Sequence, residues 1–190
     1  MRLVLLATVV LAAGCGSEAA QQPAGTPSEP VEPTPAEMST LEPMPTEPAS
    51  QSGLPAAVEM TRAAIITAAG AHDYDALAAL IPDSGFTFSY GAGDSAIDYW
   101  KDLEAAGETP LETMAGLLAL RHTRAGDIYV WPWAYDRDPA NLTSAQKDAL
   151  AGAGAATREQ LEQMGELGHY LGWRLGIRQD GTWVFFVAGD

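Results

Sequence analysis

Tyr129-Val130-Trp131-Pro132-Trp133-Ala134-Tyr135-Asp136-Arg137-Asp138 gathers four aromatic rings and three charges into ten residues. Aromatic planes beside a few carboxylates and a guanidinium suit a sugar, a peptide or a protein partner. The same stretch also reads as a strand whose alternate residues, Tyr129, Trp131 and Trp133, fill a core before a polar loop in which Arg137 pairs with a neighbouring aspartate. Trp131, Trp133, Tyr135 and Arg137, with Arg174 from the C-terminal region, form the candidate ligand or partner patch.

His72, Asp73 and Asp75 place an imidazole and two carboxylates within four positions, a set able to ligate a metal or exchange protons. The plainer reading has Asp73 cap a helix while His72 and Asp75 face solvent. A second ligand cluster such as H-E-x-x-H is missing, so no metal is assigned. His122 and His169 fall near expected element ends. There is no G-x-S-x-G elbow, Walker loop or dinucleotide fingerprint, and Gly91-Ala92-Gly93 is only a turn. No catalytic residue and no cofactor are assigned. Asn141-Leu142-Thr143 matches a glycosylation sequon, but Thr143 is better explained as a helix cap.

Charge narrows the partners. The chain has 190 residues, 25 of them acidic and 10 basic, for a net charge of -15. Such a balance argues against nucleic acid, whose phosphates reward clustered Lys and Arg. One cysteine excludes an internal disulfide and a multi-cysteine zinc site.

Residues 16 to 53 hold eight prolines and six glutamates, with no Lys, Arg or aromatic residue. This composition cannot bury enough apolar surface to offset ordering entropy, and it reads as an extended, disordered tether. All fifteen aromatic residues follow Gly53, so a single folded domain is expected over residues 54 to 190. Nineteen acids and nine bases lie there, leaving that domain at -10.

Arg2 precedes an apolar run from Leu3 to Ala13, about half the length a membrane span needs, which is the pattern of a signal peptide over residues 1 to 14. The run ends Leu11-Ala12-Ala13-Gly14-Cys15 and resembles the lipobox of bacterial lipoproteins, with Ala12 where a leucine is commoner. The resemblance implies lipidation of Cys15 as the first mature residue. It also implies anchorage at the outer face of the plasma membrane, or at the outer membrane of a two-membrane cell. Acyl chains contribute roughly 0.8 kcal/mol per buried methylene, enough in twos or threes for durable attachment. The partners expected are the membrane, through this anchor, and an envelope protein or glycan.

The spacing of apolar residues predicts an α+β domain, with helices packed on a small antiparallel sheet that ends in a C-terminal β-hairpin. Pro55, then Val58, Ile65 and Ala69, mark a helix to about Gly70. Asp73 opens a second helix that Pro82 stops, and Ser95 with Asp98 opens a third. Phe86, Phe88 and Tyr90 alternate as a strand, and residues 127 to 133 read as another. Thr109-Pro110-Leu111-Glu112, Thr143 with Gln146, and Thr157 with Gln160 are capping-box patterns that start three further helices. Asp180-Gly181 suits a two-residue hairpin turn. That turn would oppose Ile177 with Val184, Leu175 with Phe186 and Trp173 with Ala188 on one face. On the other it would oppose Arg178 with Trp183, Gly176 with Phe185 and Arg174 with Val187.

The opening Ala57 to Tyr90, containing His72-Asp73-Tyr74-Asp75-Ala76-Leu77, resembles the start of the nuclear transport factor 2-like superfamily, and Gly181 to Val187 is similar to its closing strand. The resemblance implies a cone-shaped α+β fold with a sheet curled round a pocket, and carries no catalytic residue. Two functions follow as expectations. The first is a non-catalytic, lipid-anchored binding or interaction module of the envelope. The second is a small ligand-binding or enzymatic cone with a pocket among Tyr74, Phe88, Trp100, Trp131 and Arg174.

Overall fold

The computed structural model describes residues 51–88 and 95–189. The chain divides into two units, Met1–Glu42 and Pro43–Asp190, and every described residue belongs to the second. The signal peptide, Cys15, the tether up to residue 50, Tyr90 and the turn at Gly91–Asp94 lie outside the described residues.

Local chemistry sets the helices. Helix α1 (Ala56–Gly70) follows Pro55 and buries Val58, Arg62, Ile65, Ala68 and Ala69 along one stripe. Asp73 caps α2 (Tyr74–Leu80), its carboxylate accepting from the Ala76 N–H at 2.9 Å. Ser95 does the same for α3 (Ala96–Ala105) through the Asp98 N–H. Thr143 and Thr157 form complete capping boxes with Gln146 and Gln160 and open α5 (Ser144–Gly152) and α6 (Arg158–Leu167). Helix α4 (Pro110–Ala119) starts as expected, but Thr109 makes no side-chain cap. The backbone at Thr109 stands at ψ 63°, whereas both capping-box threonines, Thr143 and Thr157, stand at ψ 161°. Proline at the first position of α4 presets φ instead.

The fold is α+β, with six helices among the described residues and a four-stranded antiparallel meander in the order β1-β2-β3-β4. Strand β1 (Thr123–Ala125) was not foreseen; it pairs with β2 (Ile128–Trp131) across Gly126-Asp127, a turn pair in the sequence flanked by a strand too short to show periodicity. Strand β2 stops at Trp131, two residues short of expectation. A cis peptide joins Trp131 to Pro132, and residues Trp133–Asp136 wind into a 3-10 turn. Proline brings no N–H to a ladder, so the sheet cannot continue through it.

The expected strand at Phe86 does not form among the described residues. Thr87 alone pairs, donating its N–H to Val184 O at 3.0 Å and accepting from the Phe186 N–H at 2.9 Å, parallel to β4 (Trp183–Val187). This single bridge covers the edge of the sheet.

The C-terminal hairpin joins β3 (Arg174–Arg178) to β4 through a three-residue loop rather than a two-residue one. Gly181 N–H donates to Arg178 O and Arg178 N–H to Thr182 O, both at 2.8 Å, with Gly181 at φ +93°. A type I turn followed by a left-handed glycine matches strand twist and adds one residue. The pairs Arg174–Val187, Leu175–Phe186 and Gly176–Phe185 stand as expected. The register then shifts, so Ile177 faces Trp183 instead of Val184. Arg178 does not meet Trp183 as expected but pairs with Asp127 at 3.3 Å. Trp173 lies before β3, its N–H donating to Ala155 O, so it does not oppose Ala188.

The shift places Trp183 in the core. Its ring stacks on Trp100 at 5.7 Å and meets the edge of Phe86 at 4.9 Å, while Trp173 stacks on Phe186 at 4.6 Å. Phe185 lies over Gly176, where a Cβ would fall 2.3 Å from the ring, so an aromatic covers a glycine as the pairing suggested. No helix among the described residues is long and apolar enough to cross a membrane.

Candidate functional site

Three stretches converge on an open cleft of about 800 Å³. Arg121, His122 and Thr123 lead into β1. Trp133, Asp136 and Arg137 come from the 3-10 turn after β2. Asp138 and Asn141 flank a second 3-10 turn (Pro139–Asn141), and Leu142, Ala145, Gln146 and Ala149 come from α5 and its approach.

Backbone and side-chain bonds hold these stretches together. The Trp133 N–H donates to Arg121 O at 2.8 Å, and the Thr123 hydroxyl donates to Asp136 Oδ2 at 2.8 Å. Asp138 caps the second turn, accepting from the Ala140 N–H at 2.9 Å and from Asn141 Nδ2 at 3.2 Å. Behind that turn α6 approaches closely at Gly165, where a Cβ would lie 3.2 Å from the Ala140 backbone. Gln146 is held by its capping box, leaving Ala145 and Ala149 as an apolar wall.

His122 forms the inner corner. Its rings' neighbours are Tyr129 and Trp131, each 5.5 Å away between centroids. Burial, reinforced by the positive charges of Arg121 and Arg62 and opposed by Glu59, pushes its pKa below the ordinary histidine value.

Gln51, three residues before the expected start of the domain at residue 54, completes this corner, so the ordered part begins earlier than composition suggests. Gln51 Nε2 donates to Leu118 O at 3.0 Å and Leu120 O at 2.7 Å. Its Oε1 accepts from Trp131 Nε1 at 3.3 Å and stands 3.2 Å from His122 Nδ1. The buried Arg62 adds an Nε–H bond to Leu118 O at 2.9 Å and pairs with Glu59. Helix ends leave carbonyls without intrahelical partners, and Gln51 with Arg62 satisfies those at the end of α4. Nothing in the sequence signals this role, because it depends on contacts across 67 to 80 residues.

A second depression, of about 210 Å³, is lined by Thr87, Tyr135, Arg174, Phe185 and Val187. Arg174 there donates to Gly189 O at 2.7 Å and to Gly172 O at 3.4 Å.

The candidate patch is therefore divided. Trp131 is fully buried in the core. Trp133 and Arg137 line the cleft, while Tyr135 and Arg174 line the second depression. A 3-10 turn repeats every three residues, so Trp133 and Asp136 share a face that Tyr135 does not. Arg137 does pair with a neighbouring aspartate, Asp136, at 3.3 Å. Of the five residues expected around a pocket, Arg174 alone lines either depression; Trp100 and Trp131 are wholly buried. Arg121, Asn141 and Gln146 carry no site signal in the sequence, since only tertiary packing joins them to Trp133.

Elsewhere Asp73 acts as a cap, and His72 stands 3.3 Å from Glu104, which accepts the Tyr74 hydroxyl at 2.5 Å. Burial and the Glu104 carboxylate hold that phenol well above its usual pKa. Among the described residues no three His, Cys, Asp or Glu side chains gather as a metal site. Comparison with protein-family models, with curated proteins and with solved structures finds no match to this chain.

Proposed function

We propose that the protein is a lipid-anchored, extracytoplasmic binding module that uses the cleft around Trp133 to recognise an envelope glycan or protein. The observation that carries the reading is the cleft itself: one aromatic wall, an aliphatic wall and polar groups of both signs, framed by rigid elements. Its volume matches the range of small-ligand sites. Recognition suits it better than turnover. Asp136 and Asp138 serve as acceptors for Thr123, Arg137, Ala140 and Asn141, so both are committed to shaping the wall. The anchor rests on the residues before Cys15.

Two arms test the proposal. NMR titration of the protein with solubilised envelope glycans and peptides is expected to perturb amides at 121–123, 133–138 and 141–149, and Trp133→Ala should abolish the effect. Perturbations confined to other surfaces would refute the cleft. In the cell of origin, Cys15→Ala is expected to move the chain out of the membrane fraction; unchanged retention would refute the anchor.

A further inference from the structure

Counting donors and acceptors in the cleft gives an asymmetry. Its carboxylates are both engaged: Asp138 Oδ1 and Oδ2 accept within the second 3-10 turn, and Asp136 takes the Thr123 hydroxyl and the Arg137 Nε. The donors are not. The Arg121 guanidinium has no hydrogen-bond or ion-pair partner among the described residues, although the side chains of the other described arginines all have one. Arg137 meets Asp136 only through Nε, so its terminal nitrogens stay available at an exposed position. Unmet guanidinium forks facing one cavity match a carboxylate, which accepts two parallel N–H bonds. Trp133 lines the same cleft, its backbone N–H tied to Arg121 O and its ring an apolar surface beside them.

We propose, building on the cleft as a binding site, that its ligand is an acidic saccharide of the uronic-acid class. The carboxylate lies between Arg121 and Arg137 and a sugar face lies on Trp133. The two arginines balance Asp136 and Asp138 in charge, so selectivity comes from donor geometry rather than from a positive field. The aromatic wall separates this ligand from a bare anion, because ring C–H faces gain contact there that inorganic phosphate does not.

The test is titration calorimetry on the full chain with D-glucuronate, D-glucuronamide, N-acetylglutamate and inorganic phosphate. Glucuronate is expected to saturate one site and to bind about tenfold or more tighter than the uncharged amide, the usual scale for a charge-assisted pair. Arg121→Gln should reduce that preference to near unity, while Arg124→Gln, outside the cleft, should leave it intact. Equal affinity for glucuronate and glucuronamide would overturn the carboxylate assignment. N-acetylglutamate or phosphate binding as tightly as glucuronate would overturn the saccharide. Absence of any glucuronate binding would overturn the inference as a whole, yet leave the cleft standing as a site if envelope fragments still perturb its amides.

Discussion

A single residue at the cleft's inner corner couples protonation to stability. His122 binds a proton less readily in the fold than in the unfolded chain, because burial and the charges of Arg121 and Arg62 outweigh Glu59. The sign follows from linkage: below about pH 6.5 the unfolded state takes up a proton that the folded state resists, so acidification removes stability that is fully present above that value. Thermal melts from about pH 7.5 to about pH 5.5 should therefore show a fall in Tm that is smaller in His122→Gln. An equal fall in both would show that other groups set the dependence. The sequence exposed His122 only as a histidine near an element end. Its partners come from α1, from Gln51 and from β2, and no local pattern unites them.

Elements were legible where their cause is local. Asp73, Ser95, Thr143 and Thr157 each act on a backbone N–H three residues on, so type and spacing alone reveal them. Thr109 has the same spacing without the bond, its backbone standing at ψ 63°. Thr157→Ala should cost about 1 kcal/mol in urea unfolding, and Thr109→Ala much less. Comparable losses would contradict the geometry. Sheet features were harder to read: the shift after Gly176 and the single bridge at Thr87 are decided by which partner strand is present. Close approaches are similarly hidden. A Cβ at Gly116 would fall 2.5 Å from Ala153 O, so α4 and the end of α5 meet through a residue that reads as an ordinary helix-weakening glycine.

At the scale of the molecule, the α+β class emerged from periodicity because each helix and strand needed one apolar face covered. The cleft did not, because its three stretches are joined by tertiary bonds such as Trp133 N–H to Arg121 O and by the approach of α6 to Ala140. The charge balance adds a global property. With -10 over residues 54 to 190, self-repulsion opposes the compact state, and salt should screen it more than it weakens the exposed ion pairs. Raising ionic strength from about 0.02 to about 0.2 M should raise Tm modestly; a decrease would mean that pairs such as Arg158–Asp148 dominate. Finally, Gln51 grips two carbonyls and an indole with one side-chain amide. The same amide stands beside His122 at the cleft wall. Replacing that one group would strip a partner from the end of α4, from β2 and from the imidazole at once, so the order of this corner hangs on a single side chain outside every helix and strand.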